Sequence, residues 1–469
     1  MEFIGREYEI SHLEKEYAAK GSRFVVIYGR RRVGKTTLIE RFIEKKDSAY
    51  YLAAEEKDFQ QIEEFKKLLS RSFNDEFLGS NTFADWKDLF SYLGKVWPKE
   101  RRMVLAIDEV TFIIRSNPSF PSYLQKFWDE TLSRSNTFLI LSGSLVGIIL
   151  GSVLSESSPL YGRRTSQMLL LPYNLRDAIK FMRGFGFEDK LRFYGAIGGV
   201  AKYLTLVKDS DSFAGFLEDK FFTKEGFFYP EGLFLISQEV KEVSTYVDIM
   251  KAISFGYTKL SEIASFCGHE PKKTSSYLDI LVTLGLVKRM VPVTENEKKF
   301  RGGTYEINDP YLRFWHRFIY PNRSRIEMRQ GKEAMKEAMP EIRAYMGRVF
   351  ERICIEYAQS ELSGSFQKFG KWWGDTYDKQ EKKSLAVEID IVAINEVEST
   401  VLFGECKWQD DADAAGILTI LREKASHVEW RKDIRKERYM IFAKSFKKKI
   451  EEKDVVLIDL KAMEKAFSG

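Results

Sequence analysis

The sequence predicts an α/β protein with three layers, in which helices cover both faces of a parallel sheet, followed by a small helical unit and a second α/β unit. Short apolar runs alternate with helical segments up to about residue 240, three amphipathic helices and two β-like runs follow, and alternating strands return after residue 341. Strands separated by helices in one chain imply a parallel sheet that is buried on both faces. The 469 residues suffice for two or three hydrophobic cores.

The composition is that of an ordinary globular protein and argues against disorder, with 44% hydrophobic and 30% charged residues. The net charge of +5 is too small to require a nucleic-acid partner, but it permits one. Cys267, Cys354 and Cys406 form no C-x-x-C pair, so we expect reduced thiols, no disulfide and a cytoplasmic location. We expect no signal peptide, no membrane span and no histidine-built metal site.

Five apolar runs are the predicted strands of the first sheet. They are Phe24–Tyr28, Ala49–Leu52, Met103–Ile107, Phe138–Leu141 and Met168–Leu171. The first run leads into a glycine-rich loop and then a helix, which is the context of a P-loop. Glycines at both ends let backbone N–H groups converge on phosphates, and the helix N-terminus adds a favourable dipole.

This loop predicts ATP binding, with Mg²⁺ as the accompanying ion, and the alternative is a chance glycine-rich turn. Lys35 is expected to reach the β- and γ-phosphates, and Thr36 to ligate Mg²⁺. The loop residues predicted to contact the nucleotide are Gly29, Arg30, Arg31, Arg32, Val33, Gly34, Lys35, Thr36 and Thr37.

The run from Met103 delivers two carboxylates at its C-terminal end, where ligands of α/β sheets bind. Asp108 is predicted to hold Mg²⁺ through water. Glu109 is predicted to orient or deprotonate the attacking water, which favours hydrolysis over nucleotide binding alone. The alternative is that this Asp-Glu pair only starts a helix.

Two further groups complete the predicted ATP site. The run from Phe138 ends in the hydroxyls of Ser142 and Ser144, which are placed to sense the γ-phosphate between the P-loop and Glu109, although this Ser-Gly-Ser sequence also suits a plain turn. Arg163 and Arg164 are candidates for an arginine finger, in cis or from a neighbouring subunit, or for a packing pair. A finger in trans implies a homo-oligomer formed through the ATPase core.

The first half of the chain resembles the archaeal-type ATPases of the AAA-related P-loop group. Besides the P-loop, the resemblance rests on the opening FIGRE at residues 3–7 and on GGVAKYL at residues 198–204. In such relatives the opening lies near the adenine base, which implies nucleotide contacts for Gly5 and Arg6. The second stretch resembles their lid motif, with Ala201 where relatives usually carry proline. We place the ATPase core at residues 1–190 and a helical lid at 191–243.

Residues 244–320 have the order of a winged helix-turn-helix. The predicted helices lie near Tyr246–Ser254, Lys259–Phe266 and Lys272–Leu284, and the predicted strands at Val287–Val293 and Thr304–Ile307. The helix opening at Lys272 carries basic and hydroxyl groups, and the wing carries Lys298, Lys299 and Arg301, which suits DNA. A spacer or a protein contact is the alternative. A charged, solvated connecting helix or linker is predicted at 321–340.

The last domain is predicted at residues 341–469. Its elements are a helix at 341–358, strands at Leu385–Ile394 and Thr400–Lys407, a helix near 412–428, and strands at Tyr439–Ala443 and Val455–Ile458. Alternation places Glu388 and Asp390 on one strand face, and Glu405 and Lys407 on one face of the next strand. If these strands pair as a hairpin, Asp390, Glu405 and Lys407 converge. Such a set can hold Mg²⁺ beside a phosphodiester, or it is a polar hairpin with a Glu–Lys pair.

This domain resembles the PD-(D/E)xK nuclease superfamily, whose restriction-endonuclease-like fold is therefore expected here. Asp390 matches the first acid, Glu405 and Lys407 match the second motif, and Glu351 on the preceding helix matches the commonly added acid. The resemblance implies metal binding by Asp390, Glu405 and Glu351. The full architecture resembles an archaeal ATPase family that also occurs in bacteria. Our leading hypothesis is an ATPase that acts on DNA through a gated nuclease; the alternative is a nucleotide-controlled switch that binds DNA or a protein without cleavage.

Overall fold

The computed structural model describes residues 3–208, 212–378 and 383–468. Its contacts divide the chain into two compact units. Unit 1 comprises Met1–Tyr173 and Val200–Thr205, and unit 2 comprises Asn174–Gly199 and Leu206–Gly469. In the described part of the chain, no helix is both long and apolar enough to cross a membrane.

The regular elements follow in chain order. The strands are β1 (Arg23–Tyr28), β2 (Ser48–Leu52), β3 (Met103–Asp108), β4 (Thr137–Gly143), β5 (Ser166–Leu169), β6 (Val287–Met290), β7 (Thr304–Ile307), β8 (Lys368–Asp378), β9 (Lys383–Asn395), β10 (Thr400–Lys407), β11 (Lys436–Ala443) and β12 (Val455–Ile458). The helices up to residue 208 are α1 (Glu7–Ala18), α2 (Lys35–Ile43), α3 (Asp58–Phe73), α4 (Glu76–Ser80), α5 (Trp86–Val96), α6 (Val110–Ser116), α7 (Phe120–Glu130), α8 (Val146–Ile149), α9 (Leu175–Ala178), α10 (Phe187–Ile197) and α11 (Ala201–Leu204).

The later helices are α12 (Phe213–Lys220), α13 (Phe228–Glu239), α14 (Val243–Ser254), α15 (Leu260–Cys267), α16 (Pro271–Thr283), α17 (Pro310–Phe314), α18 (Arg323–Glu327), α19 (Gly331–Leu362), α20 (Ala414–Ser426) and α21 (Leu460–Ser468). Single 3₁₀ turns lie at Leu132–Arg134, Ile179–Phe181 and Tyr320–Asn322, and π-helical turns lie at Leu150–Leu154 and Trp315–Ile319.

Unit 1 is built on a parallel sheet with the strand order β2-β3-β4-β1-β5. Its central strands β3 and β4 are mostly apolar and fully buried because helices cover both faces, as the sequence predicted. The five strands lie within two residues of their predicted bounds. This order brings the carboxyl ends of β1, β3 and β4 side by side, which is where parallel sheets bind ligands.

Unit 2 contains three helices, α14 to α16, followed by the antiparallel pair β6 and β7, at the positions where the winged helix was predicted. The strand predicted to extend to Val293 ends at Met290, because Pro292 has no N–H to donate to a ladder. Beyond it, the backbone N–H of Val293 donates to the carbonyl of Lys371 at 2.9 Å, so this loop joins the edge of the C-terminal sheet.

The C-terminal sheet of unit 2 is mixed and has the strand order β12-β11-β10-β9-β8. β10 runs antiparallel to β9, as the hairpin prediction required, and parallel to β11. Ile389, Phe403, Leu421 and Ile441 pack in one buried core, in which β9 to β11 meet α20. The sequence analysis did not find β8.

The helix expected to begin at residue 341 begins at Gly331 and continues through Pro340 to Leu362. A proline inside a helix removes one backbone hydrogen bond. Residues before and after Pro340, such as Met335 and Ile342, are buried, so the helix keeps one continuous apolar face past the missing hydrogen bond. The end of the segment predicted as a connecting helix or linker therefore forms the first turns of α19.

The contact grouping also differs from the predicted boundary after residue 190. The segment Asn174–Gly199 groups with unit 2, whereas Val200–Thr205 groups with unit 1. Aromatic packing explains the first assignment, since Phe193 of α10 meets Phe216 of α12 in an edge-to-face pair with 5.2 Å between ring centroids. The division into five domains remains a prediction.

Candidate functional site

The glycine-rich loop lies between the end of β1 and the start of α2. Gly29 has a φ of 153°, and a Cβ at this position would lie 2.3 Å from the carbonyl oxygen of Leu170. Gly34 and Arg32 also have positive φ angles, of 99° and 71°. A side chain at residue 29 would push the loop away from Leu170, so this glycine sets the close turn.

Lys35 is 4% exposed and turns back over the loop. Its ammonium group donates to the carbonyls of Gly29 at 3.0 Å and Arg30 at 3.2 Å, and it lies 4.0 Å from a carboxylate oxygen of Glu109. Phosphate oxygens can replace these two carbonyl oxygens as partners of the ammonium group. No buried carboxylate loses its hydrogen-bond partner in that exchange. Among the other loop residues, Val33 is buried and Thr37 is exposed.

Asp108 lies at the end of β3 and is fully buried. Its Oδ2 accepts hydrogen bonds from the hydroxyls of Thr36 at 2.6 Å and Tyr50 at 2.9 Å, and its Oδ1 accepts from the N–H of Glu109 at 2.9 Å. Burial and the charge of Asp108 raise the pKa of Tyr50, so the phenol stays protonated and donates. The structure thus brings together the two predicted oxygen ligands of a magnesium ion.

Glu109 follows Asp108 with a left-handed backbone, φ 52°, which turns its side chain towards the end of β4. Its Oε2 accepts from the N–H of Ser144 at 3.0 Å and from the hydroxyl of Ser144 at 2.7 Å. The hydroxyl of Ser142 is buried without a hydrogen-bond partner among the described residues. Of the two predicted hydroxyls, Ser144 is therefore the one that positions Glu109.

Gly5 and Arg6, predicted near the adenine base, both have left-handed backbone angles. The guanidinium of Arg6 donates to the carbonyls of Val33 at 3.2 Å and Leu171 at 2.7 Å, and it lies over the ring of Tyr173 at 4.1 Å. Arg6 is 7% exposed. It ties the P-loop to the chain after β5, which is a positioning contact.

The stretch that resembles a lid motif contacts the P-loop within unit 1. The N–H of Lys202 donates to the carbonyl of Arg32 at 3.3 Å, and the guanidinium of Arg30 donates to the hydroxyl of Tyr203 at 3.2 Å. Two loop arginines predicted to contact nucleotide are therefore linked to α11. Arg31 lies between them and is half-buried.

The two candidate finger arginines have different surroundings. Arg163 donates to both carboxylate oxygens of Asp129 at 2.8 to 3.1 Å and to the carbonyl of Pro159 at 2.9 Å. The hydrogen bond to Asp129 raises the pKa of Arg163. Arg164 lies over the ring of Tyr161 and donates to the carbonyl of Leu154 at 3.4 Å. Of the two, Arg163 is the one that a carboxylate holds.

In unit 2, β9 and β10 bring Asp390, Glu405 and Lys407 together as predicted. Oδ2 of Asp390 accepts from the N–H of Cys406 at 2.9 Å. Burial, followed by the charges of Glu351 and Glu405, raises the pKa of Asp390 to about 7. The three carboxylates are thus close enough to oppose one another's ionisation.

Glu405 is 4% exposed and is contacted by two ammonium groups. Lys407 lies 2.8 Å from its Oε1, and Lys424 of α20 lies 2.9 Å from each of its oxygens. Burial alone would lower the pKa of Lys407, but the hydrogen bond to Glu405 raises it. Lys407 therefore remains charged beside Glu405.

Glu351 is also paired, because Lys371 of β8 lies 2.5 Å from its Oε2 and 3.3 Å from Glu388. Within the described residues, no three Asp, Glu, His or Cys side chains are arranged to hold a metal ion. Lys371 pairs with Glu351, and Lys407 and Lys424 pair with Glu405. The side chains as placed do not form the predicted metal site.

Three residues of these two sites were not predicted from the sequence: Tyr50, Lys371 and Lys424. Tyr50 and Ser144 reach their partners through the strand order β2-β3-β4, which a sequence pattern does not give. Ser144 was predicted as a strand-end hydroxyl, but its contact with Glu109 was not. Lys424 had no signal in the sequence, since it is one of several charged residues on α20.

Comparison with known proteins gives matches for both halves. Residues 3–207 match a family described as an ATPase domain predominantly from Archaea, and residues 315–418 match one described as archaeal and bacterial proteins of unknown function. The uncharacterized protein MJECL04 of Methanocaldococcus jannaschii is 31% identical over 465 residues, covering 98% of this chain and 99% of the relative. An uncharacterized ATP-binding protein of the same organism is 43% identical over 44 residues, 9% of this chain and 75% of that protein.

Among solved structures, a Walker-type ATPase of Pyrococcus abyssi aligns at 20% identity and a TM-score of 0.48, over 67% of this chain and 96% of its own. The ORC2 protein of Aeropyrum pernix, solved with ADPNP and ADP, aligns at 14% identity and a TM-score of 0.42, over 72% of this chain and 96% of its own.

Proposed function

The chain belongs to a family of archaeal-type P-loop ATPases with a C-terminal domain of unknown function, and on this premise we propose that it hydrolyses ATP with Mg²⁺. The observation that carries the proposal is the contact between Thr36 and Asp108 at 2.6 Å, directly beside Lys35 and Glu109. A magnesium ion bound to a nucleotide is typically held by a hydroxyl of the P-loop and by a carboxylate at the end of a neighbouring strand.

The proposed roles follow from these contacts. The loop N–H groups and Lys35 bind the phosphates, with Lys35 exchanging two carbonyl partners for phosphate oxygens. Thr36 and Asp108 would hold Mg²⁺, whose chemistry is to neutralise charge that develops on the phosphates. Glu109, fixed by two hydrogen bonds from Ser144, orients the attacking water or accepts its proton.

The test is ATP turnover, measured as phosphate release with Mg²⁺. Lys35→Ala should lower turnover by roughly 100-fold or more, because it removes a charge aimed at the phosphates. Glu109→Gln should keep binding of a fluorescent ATP analogue and lose turnover. Lys45→Ala, an exposed lysine just beyond α2, is the matched control and should leave both unchanged. Turnover that survives Lys35→Ala would remove the P-loop from the proposal.

We further propose that ATP turnover controls an action of unit 2 on DNA. The exposed Lys272 and Lys273 at the start of α16 and the exposed Lys298, Lys299 and Arg301 after β6 support DNA contact. Convergence of Asp390, Glu405 and Lys407 supports cleavage. A homo-oligomer in which Arg164 reaches a neighbouring ATP site is part of this proposal, and light scattering with and without ATP tests it.

A second candidate is a nucleotide-controlled switch whose unit 2 binds DNA or a protein without cutting. The observation that favours it is the pairing of the buried Glu405 with two lysines. A nuclease assay on supercoiled, linear and single-stranded DNA with Mg²⁺ or Mn²⁺, with and without ATP, separates the two. Cleavage lost in Asp390→Ala and Lys407→Ala supports the nuclease. Intact ATP turnover with no cleavage supports the switch.

A further inference from the structure

Unit 2 contains a cleft of about 1130 Å³, which we call the wing cleft. One wall is the loop between β6 and β7, represented by Thr294 and Phe300, and another is α19, represented by Tyr345 and Arg348. The floor is formed by β8 and β9, and Trp373 and Asp390 line it. The cleft thus joins the candidate acid site to the segment predicted as a winged helix, within one unit.

Trp373 is the first feature of the wing cleft that points to a ligand. It is half-buried, lines the cleft, and pairs across the strands with Glu388, which places both on the face that also carries Asp390. Among the described residues its ring has no aromatic, cationic or hydrogen-bond partner. The neighbouring Trp372 instead packs against the core of the C-terminal sheet. Trp373 therefore presents an indole ring for stacking.

Tyr345 is the second feature. Its side chain is 8% exposed and its ring meets Phe314 and Phe318, with centroid distances of 5.9 and 5.4 Å. Its hydroxyl is buried at the cleft wall without a hydrogen-bond partner among the described residues. A buried hydroxyl without a partner costs free energy, which a ligand atom in the cleft would recover.

The charges of the wing cleft are the third feature. Arg313 and Arg352 are each paired with Glu306 at 3.1 Å, and other acids that line the cleft include Glu295, Glu388 and Glu429. Arg348 and Lys259 line it as exposed cations that form no ion pair with the described residues. Lys259 directly precedes α15 and Arg348 lies on α19, so an anionic strand in the cleft could contact both cations while approaching Asp390.

We propose that the wing cleft binds single-stranded nucleic acid, with one base stacked on Trp373 and the backbone phosphates near Arg348 and Lys259. Stacking on an aromatic ring with cations along the backbone is the usual way proteins hold unpaired strands. Stacking of a base on Trp373 requires an unpaired strand, because a base inside a duplex is covered on both faces by its neighbours. The inference rests on the proposed action on nucleic acid and names its substrate as an unpaired strand.

The experiment is fluorescence anisotropy of the full-length chain with labelled oligo-dT, oligo-U and a duplex of equal length, in EDTA so that cleavage is absent. Trp373→Ala should weaken single-strand binding by roughly 5- to 150-fold, because base stacking is lost. Trp373→Phe should restore most of it. Tyr345→Phe removes only the hydroxyl and should weaken binding a few-fold. Arg348→Ala should reduce the slope of log affinity against log salt by about 0.7.

Arg343→Ala is the matched control, since Arg343 is exposed on the same helix but does not line the cleft. Thermal melting of each variant separates lost binding from lost folding. Single-strand binding that Trp373→Ala and Arg348→Ala leave unchanged, or tighter binding of the duplex, overturns the inference. Cleavage of duplex DNA dependent on Asp390 together with no single-strand binding would overturn the inference and keep the proposed nuclease. Single-strand binding without cleavage would keep the inference and favour the switch.

Discussion

The two acidic sites of the chain stabilise their carboxylates by different means. In unit 1, Asp108 accepts hydrogen bonds from two hydroxyls and a backbone N–H, all of them neutral donors. In unit 2, Glu405 lies against the ammonium groups of Lys407 and Lys424. Neutral donors can be exchanged for a ligand at small cost, whereas removing a charged partner leaves an unpaired buried charge. Asp108 in unit 1 can therefore exchange its hydrogen-bond partners for a ligand, whereas the charge of Glu405 in unit 2 is already balanced by two ammonium groups.

The largest expected effect tests that compensation. Lys424→Met should lower the free energy of unfolding by about 3 kcal/mol or more, because Glu405 is buried and loses the partner of both its oxygens. Denaturant titration of the full-length chain measures it. Lys407→Met should cost less, since Lys407 is 42% exposed. The double variant with Glu405→Gln should recover part of the loss. A change below about 0.5 kcal/mol would contradict internal compensation.

Acid should weaken unit 2 more than unit 1, because unit 2 buries His316 in a π-helical turn without partners for either ring nitrogen among the described residues. Burial lowers the pKa of His316 from 6.5 to about 3. Below about pH 6.5 the unfolded chain binds this proton first, so stability falls as the pH falls towards 3. Between pH 7.5 and 4.5 the wild type should lose about 3 kcal/mol more than His316→Leu.

Denaturant titration at the two pH values checks this expectation. His269→Leu is the control, as His269 is half-buried in the same unit and stacks on Tyr277 at 6.5 Å. Parallel losses in the wild type and His316→Leu would show that the histidine does not set the acid sensitivity.

A smaller effect is expected from the neutral donors of unit 1. Ser144→Ala should lower ATP turnover about tenfold, because it removes the hydroxyl that holds Glu109 while the backbone N–H remains. Ser142→Ala should leave turnover unchanged, since its hydroxyl contacts no described partner. Phosphate release at saturating ATP is the measurement. The reverse pattern would restore the sequence-based assignment of Ser142.

The smallest effect is expected at Arg163. Arg163→Ala should lower the free energy of unfolding by about 0.5 to 1 kcal/mol, since the partly exposed Asp129 loses its partner. ATP turnover should stay within about twofold of the wild type, because two guanidinium nitrogens of Arg163 already donate to Asp129 and are not available to a phosphate. Denaturant titration and phosphate release check the two parts. Loss of turnover without loss of stability would identify Arg163 as the finger.

Much of the fold could be predicted because its strands are apolar and short. The parallel sheet of unit 1 was predicted strand by strand, and the predicted bounds of β7, β10 and β12 match those observed. β8 was missed because its sequence mixes glycines, charges and aromatic residues without alternation. Pairing with β9 forms this strand, with a register shift between Gly370 and Trp372, and such pairing is a tertiary effect.

The candidate sites divide in the same way. Lys35, Thr36, Asp108 and Glu109 follow from one rule, that polar residues after buried parallel strands meet at one sheet edge. The contacts of Tyr50, Ser144 and Lys424 depend on which strands are neighbours and on which helix face meets the sheet. The metal prediction for Asp390, Glu405 and Glu351 placed the carboxylates near one another, but it could not foresee that lysines from β8 and α20 would pair with two of them.

The length of α19 gives unit 2 a mechanical property. Its 32 residues make a rod of about 48 Å, and the same rod carries Tyr345, Arg348 and Glu351 past the wing cleft. Because each residue advances an α-helix by about 100°, one residue inserted after Arg343 would swing all three side chains through the same angle. The hydroxyl of Tyr345, the guanidinium of Arg348 and the carboxylate of Glu351 are therefore oriented together by one helix. An insertion could turn all three away from the cleft without replacing any of these residues.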